Sequence, residues 1–323
     1  MSNNWQGIPE VIKEKDCITI VCHMNPDGDA LGSMLGLGLA LEQLNKKVVY
    51  MCPDPVPAQY KFLPGSERVT ILDPNNINSQ LLIFVDCSDE DRVGQKFLKH
   101  LPPTVEVINL DHHVSNTFFG KYNYVDIEAA ATGEIILELL KLLDVDLTHE
   151  TASNLYVAIS TDTGSFKFPN TTSKTHSLAA ELLDTGINLS EITGALYEEV
   201  PMESFEVLKL GLANLKIHPE GKLAYIALTR QEIMSVGASD EHVEGLVGYA
   251  KAIAGIEIGV LFKEVADDGV KVSFRSKGKV DVAKLAGRFG GGGHKRASGC
   301  RLNENLNNAV NKIITAALEE LKS

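Results

Sequence analysis

The sequence has 323 residues, 44% of them hydrophobic and 23% charged, a length that fits about two domains of roughly 100–200 residues each. Its 43 acidic and 30 basic side chains give a net charge of −13, which disfavours long nucleic acid because an acidic surface repels a polyanion. No apolar run approaches the ~20 residues of a membrane span, and the N-terminus lacks the basic-then-apolar order of a signal peptide, so a cytoplasmic protein without a membrane partner is expected.

ITIVC (18 to 22) reads as a buried strand, followed by a helix from about Ala30 to Leu44. KVVYM (47 to 51), LLIFV (81 to 85) and VEVINL (105 to 110) read as further strands. Helical patterns occupy 133 to 143, with Thr132 as the expected N-cap, then 150 to 161 and 173 to 184. This alternation predicts an α/β domain with a doubly wound parallel sheet over residues 1–186. Residues 187–212, where Pro201 breaks a helical pattern, are expected to form a connector.

Residues 213–323 predict a smaller α/β domain with a mixed sheet, and a cleft between the two domains is expected. LANLKIH and LAYIALT are strand candidates joined by PEGK, and a helix follows near 241 to 253. IEIGVLFKEV and GVKVSFR form a hairpin pattern around Asp267-Asp268-Gly269. Helix VAKLAGRF, a glycine run and the amphipathic helix LNNAVNKIITAALEEL close the chain. The five cysteines, at 17, 22, 52, 87 and 300, form no CxxC pair and read as reduced, buried thiols.

In an open parallel sheet, ligands collect beyond the carboxyl ends of the strands. His23, Asp27 and Asp29 follow the first apolar run, Asp86 follows LLIFV, Asp111, His112 and His113 follow VEVINL, and Asp162 ends a helix. Each has a plainer reading alone: Asn-Pro-Asp-Gly as a turn, Asp86 as a helix cap, Asp162 as a turn residue. Together, so many converging carboxylates repel one another unless a cation compensates them. Two His and four Asp suit Mn²⁺, with Mg²⁺ or Co²⁺ as alternatives. Six donors exceed one site, so two divalent cations sharing a bridging carboxylate are expected, an arrangement suited to hydrolysing phosphate esters and anhydrides.

Residues 275–296 hold seven Lys or Arg against Asp281 alone. Within them, Gly290 to Gly293 followed by His294, Lys295 and Arg296 combine close backbone approach with a bidentate guanidinium, although a lone glycine run is more simply a flexible loop with a solvated basic edge.

HMNPDGDALGS, VDCSDEDRVG, DHHVSN and STDTGSF resemble, in order, the four motifs of DHH phosphoesterases, and GGGGHKRASG resembles the glycine-rich motif of their DHHA1 domain. The two-domain length is most similar to the bacterial branch of bifunctional oligoribonucleases (nanoRNases) and pAp phosphatases. The resemblance implies that His23 and Asp27 hold one Mn²⁺, that Asp29, His112 and Asp162 hold the other, and that Asp86 bridges them. It places Asp111 behind a ligand imidazole and His113 at the scissile phosphate, as a donor to a non-bridging oxygen or as the acid for the leaving group. It assigns Arg275, Ser276, Gly291, Gly292, Gly293, His294 and Arg296 to the substrate's non-scissile phosphate or nucleotide. Tyr124 and Arg92 are further candidate substrate contacts.

The implied reaction is in-line hydrolysis by a hydroxide activated between two metals, with no covalent enzyme intermediate. The implied substrates are RNAs of about two to five nucleotides, linear dinucleotides such as pApA and pGpG, and adenosine 3′,5′-bisphosphate (pAp), from which the 3′-phosphate is removed. Long duplex nucleic acid is not an expected partner, and a homodimer is the assembly left open. Two alternatives stand beside this reading. One is a manganese inorganic pyrophosphatase, which shares the four N-terminal motifs but carries a different C-terminal signature; the other is a non-catalytic nucleotide-binding regulatory module.

Overall fold

The apolar runs of the first half pair side by side in the computed structural model, which describes residue 5 and residues 7–73, 77–94, 97–102, 104–198, 200–265 and 269–322. Helix α1 spans Ile8–Glu14, β1 Cys17–Val21, α2 Gly28–Gln43, β2 Lys47–Cys52, β3 Thr70–Ile71, β4 Leu81–Val85, β5 Glu106–Asp111 and β6 Tyr122–Val125. Helices α3 Thr132–Leu143, α4 His149–Asp162, α5 Ser173–Asp184 and α6 Leu189–Thr193 follow. All strand pairings in this six-stranded sheet are parallel, in the order β3-β2-β1-β4-β5-β6. β1 and β4 are nearly unbroken apolar runs because a central parallel strand has no solvent side.

The chain builds outward from β1 through β2 and β3, then returns to the other flank of β1 and builds outward again through β4, β5 and β6. Strand order therefore reverses between β1 and β4, the switch point at which a doubly wound sheet opens a crevice. Val21 lies opposite Phe84, so the two strands end nearly level and deliver His23 and Asp86 to the same edge.

Helix α2, which begins at this edge, packs against α4 with almost no spacing. A Cβ at Gly32 would stand 2.4 Å from the Asn154 carbonyl, and one at Gly28 would stand 2.4 Å from Thr161 Oγ1. The helix that starts with Asp27 and Asp29 is thus seated on the helix that ends with Asp162. Thr132 is not the N-cap of α3. Ala131 occupies that position without a side-chain bond, because the carboxylate of Asp29 caps α3 from the neighbouring helix.

The chain divides into two units, Met1–Glu199 and Val200–Ser323. Of the expected connector, α6 and a π-helical turn over Gly194–Glu198 lie in the first unit, where the Tyr197 hydroxyl hydrogen-bonds Ser160 Oγ at 3.0 Å. Pro201 stands at the N-cap of α7, Met202–Ala213, in the second unit.

That unit continues with β7 Leu215–Ile217, β8 Leu223–Leu228, α8 Arg230–Ser235, α9 Asp240–Val243, α10 Leu246–Ala252, β9 Ile258–Val265 and β10 Gly269–Ser276. Helix α11 Val282–Gly287, β11 Gly292–His294, β12 Ala297–Leu302 and α12 Leu306–Lys322 complete it. The six strands form a mixed sheet in the order β11-β12-β10-β9-β8-β7, parallel only between β8 and β9. One face buries Val260, Phe262, Val272 and Phe274 with Leu285, Ala309 and Ile313 of α11 and α12. The other buries Ile226, Leu228 and Leu261 with Val207, Leu246 and Val247 of α7 and α10. β9 and β10 pair antiparallel with Val265 opposite Gly269, and the expected turn residues Asp267 and Asp268 lie outside the described residues.

Among the described residues no helix is long and apolar enough to cross a membrane. All five cysteines are free thiols, four of them buried and Cys17 half-buried.

Candidate active site

The loop after β1 uses its residues twice. Asp27 caps α2 by accepting from the Ala30 N–H through Oδ1 at 3.0 Å, while its Oδ2 lies 3.7 Å from His23 Nε2. His23, 3% exposed, donates from Nδ1 to the Met24 carbonyl at 2.8 Å, which turns Nε2 toward Asp86 Oδ2 at 3.3 Å. His112 is fixed the same way, Nδ1 to the Ala129 carbonyl at 3.2 Å. Its Nε2 faces Asp29 Oδ2, Asp86 Oδ1 and Asp162 Oδ2 at 3.7, 3.5 and 3.6 Å. Tying Nδ1 to a carbonyl selects the tautomer whose Nε2 lone pair can meet a metal.

Asp86 sits where β4 ends, buried and with φ +58, a left-handed conformation that costs a non-glycine residue of order 1 kcal/mol or more. It caps no helix: Asp89 accepts from the N–H groups of Asp91 and Arg92 instead, which leaves Asp86 to the site. Asp29, also buried, accepts from the N–H groups of Thr132 and Gly133 at 2.7 and 3.0 Å and from Ser33 Oγ at 3.0 Å.

The donor atoms fall into three overlapping groups, each within 4.8 Å: His23, Asp27 and Asp86; Asp29, His112 and Asp162; and Asp86, His112 and His113. Asp86 belongs to the first and third, and His112 Nε2 links it to the second.

The electrostatics show a deficit of positive charge. Burial and then the Asp86 charge push the Asp29 carboxyl well above the usual carboxylate range. Burial raises Asp162 to about 6, with His112 opposing and Asp86 and Asp27 adding to the rise. Burial alone would lower His23, but its bond to Asp86 and the Asp27 charge overcome this and raise it to about 9. His112 likewise rises to about 9 against its burial, through Asp86, Asp29 and Asp162. Asp86, despite its burial, is held well below the usual range by its bond to His23 and by His112 and His113. Among the described residues no Lys or Arg forms an ion pair with these carboxylates; their partners are imidazoles. An oxygen-rich set of carboxylates with two imidazoles, short of positive charge, fits divalent cations.

Asp111 is fully buried and its partner is His113, not the imidazole of His112: His113 Nδ1 donates to Asp111 Oδ1 at 2.7 Å. Asn116 Nδ2 donates to the other oxygen at 2.6 Å and to Asn109 Oδ1 at 2.8 Å, so a buried amide pair fixes the carboxylate that fixes His113. Asn109 and Asn116 were not singled out from the sequence, although Asn116 ends DHHVSN, and Thr132 was read there only as a helix cap, not as a partner of Asp86. Asn170 was also missed; its Nδ2 donates to the carbonyls of Ala130 and Asp162 at 3.0 and 3.1 Å. Tyr124 departs from expectation, because its buried ring stacks on Trp5 at 3.8 Å within the core. Arg92 lies near His23, where its charge works to lower the imidazole.

In the second unit, Arg275 is half-buried and donates from Nη1 to the Phe274 carbonyl at 3.0 Å. Ser276 is turned inward instead, 2% exposed, with its hydroxyl donated to the Val280 carbonyl at 2.8 Å. Gly291 abuts β12, where a Cβ would stand 2.1 Å from the Gly299 carbonyl, whereas a Cβ at Gly292 meets nothing within 4 Å. Gly292, Gly293 and His294 form the exposed edge strand β11, and Arg296 is exposed beside it.

Residues 17–159 match the DHH family, N-terminal domain, and residues 221–322 match the DHHA1 domain. The bifunctional oligoribonuclease and PAP phosphatase NrnA of Thermus thermophilus is 35% identical over 316 residues, covering 97% of this chain and 93% of the relative. The chain belongs to the DHH/DHHA1 family. Another relative of this DHH/DHHA1 protein is NrnA of Bacillus subtilis, 32% identical over 294 residues, covering 89% and 90% of the two chains. A solved structure, an exopolyphosphatase-related protein of Bacteroides fragilis, superposes with a TM-score of 0.92 at 27% identity, over 98% of this DHH/DHHA1 chain and 96% of that one.

Proposed function

We propose that the protein is a Mn²⁺-dependent phosphoesterase that hydrolyses RNAs of about two to five nucleotides, including pApA and pGpG, to mononucleotides and removes the 3′-phosphate of pAp. The observation that carries the reading is the donor cluster around Asp86 at the sheet's switch point. Full-length similarity to relatives named as oligoribonucleases and PAP phosphatases supports the substrate class.

His23, Asp27 and Asp86 would hold one cation, and Asp29, His112 and Asp162 the other, with Asp86 shared. Mn²⁺ suits this donor set, and Mg²⁺ and Co²⁺ are the alternatives. When bound, such a pair supplies Lewis acidity at phosphoryl oxygen and activates water as the nucleophile.

The protein's own groups do the rest. Asp111 orients His113 through Nδ1, so His113 acts through Nε2, donating to a phosphoryl oxygen or to the leaving oxygen. Thr132, Ala129 and Met24 hold Asp86, His112 and His23 in register. In the second unit, Arg275, Arg296, His294 and the exposed backbone of Gly292 and Gly293 bind a phosphate that is not cleaved, while Gly291, whose N–H is donated to the Ala286 carbonyl at 3.0 Å, shapes the turn that presents them. Ser276 serves this indirectly, by ordering the loop after Arg275.

The test is product analysis of the purified protein with Mn²⁺ on pAp, pApA, a five-nucleotide RNA, a 24-nucleotide RNA and pyrophosphate in parallel. Mononucleotides from the short RNAs and phosphate from pAp, with the long RNA cut slowly, are expected. Turnover of pyrophosphate alone would move the protein to the pyrophosphatase reading, and inertness toward all five to the regulatory-module reading.

A further inference from the structure

Several basic side chains of the second unit are paired with carboxylates. Lys271 meets Glu244 at 2.6 Å, Arg288 meets Glu319 and Glu320 at 2.7 and 3.2 Å, and Lys312 meets Glu304 at 2.6 Å. Lys251, Arg275, Lys277 and Arg296 differ: among the described residues none has a carboxylate within ion-pair distance.

The fold gathers these four. Lys277 Nζ donates to the Ile253 carbonyl at 2.9 Å, at the end of α10. Helix α10 lies so close on β9 that a Cβ at Gly259 would stand 2.6 Å from the Lys251 backbone nitrogen, and Gly259 is the register partner of Arg275. On its other flank Arg275 lies opposite Ala297, the residue after Arg296. The Arg296 guanidinium in turn lies against the loop after Arg275, where a Cβ at Gly278 would stand 2.9 Å from Nη2. Burial, then the charges of Arg275, Lys277 and Arg296, lower the Lys251 ammonium.

Two carboxylates lie nearby and both are engaged. Glu244 is held by Lys271, although its charge reaches Arg275. Glu257 Oε1 accepts from the N–H groups of Gly278, Lys279 and Val280 at 3.0, 2.7 and 3.2 Å, which fixes the loop on which Arg296 rests.

We propose that Lys251 completes a four-cation subsite that selects a terminal phosphomonoester dianion over a phosphodiester monoanion. This rests on the short-nucleotide reading above and adds that the nucleotide held by the second unit carries a terminal phosphate. Mutually repelling cations gain more from a doubly charged ion than from a singly charged one, and a phosphomonoester, with its second pKa near about 6, is a dianion at pH 8. Lys251 lies on α10, outside the basic stretch read from the sequence, and supplies the charge that turns a phosphate grip into a dianion filter.

The test is calorimetric binding of AMP and of its 5′-monomethyl ester to the full chain at pH 8 in EDTA, with wild type, Lys251→Gln and Lys251→Arg. EDTA removes divalent cations, so the first unit contributes no metal-dependent binding. Wild type should bind AMP at least tenfold more tightly than the ester. Lys251→Gln should lose about tenfold for AMP while the ester stays within twofold, and Lys251→Arg should behave as wild type. Equal binding of the two ligands by wild type, no binding of AMP, or an equal loss for both ligands in Lys251→Gln overturns the proposal. Selective AMP binding without Mn²⁺-dependent hydrolysis of pApA would leave this subsite standing and remove the proposed reaction instead.

Discussion

The hydroxyl of Thr132 donates to Asp86 Oδ1 at 3.1 Å, and the backbone N–H of the same residue donates to Asp29 Oδ2 at 2.7 Å. One fully buried residue thereby fixes a carboxylate from each donor set. Thr132→Val keeps the N–H and the shape but loses the hydroxyl. Loss of such a supporting bond typically costs about 10–100-fold in metal affinity. Calorimetric titration with Mn²⁺ should show a loss in that range for Thr132→Val and near-wild-type affinity for Thr132→Ser; unchanged affinity in the valine variant would break the link between Thr132 and the centre.

Asp86→Asn separates fold from chemistry. Asparagine tolerates φ +58 and nearly matches aspartate in volume, so far-UV circular dichroism and Tm should stay close to wild type. The shared negative charge is gone, and hydrolysis of pApA should fall by about 10²–10³-fold or more. Activity within tenfold of wild type would show that Asp86 is not the common donor.

His23 and His112 stand near 9 in the metal-free protein, against about 6.5 in an unfolded chain. Because the folded values are raised, their charged forms stabilise the metal-free fold fully below about pH 6.5, and that contribution is lost as pH rises through 9. Metal binding needs the same rings neutral, so it releases protons and strengthens across this window. The rise in Tm on adding Mn²⁺ should therefore grow from about pH 6.5 to 8.5, measured by scanning calorimetry without oxygen. A rise that shrinks with pH would contradict the assignment of these imidazoles.

The candidate donor cluster was legible in the sequence because most of its residues follow apolar runs. A buried parallel strand such as LLIFV announces itself, and the next residue, Asp86, must lie at the sheet edge. The supporting residues were not legible, since their partners are distant in sequence. Thr132 looks like an N-cap until Asp29, from another helix, takes that role, and Tyr124 looks available until Trp5 covers it. Strands β11 and β12 escaped for a different reason: Gly292-Gly293-His294 carries no strand pattern, and β12 alternates small residues such as Ala297 and Gly299 with Ser298 and Cys300.

The glycine run separates into structural and exposed positions. Gly291→Ala drives a Cβ to 2.1 Å from the Gly299 carbonyl and should destabilise the protein by about 1–3 kcal/mol in denaturant titration. Gly292→Ala points into open space and should leave stability within about 0.5 kcal/mol, while raising KM for pApA several-fold by blocking phosphate approach to the backbone. An unchanged KM would place the bound phosphate away from Gly292.

The most direct measurement is anomalous diffraction at the manganese edge from crystals grown with Mn²⁺. Two peaks are expected, one among His23, Asp27 and Asp86 and the other among Asp29, His112 and Asp162, both in contact with Asp86. A single peak, or two peaks of which one does not touch Asp86, would contradict a hydrolytic centre built on a shared carboxylate.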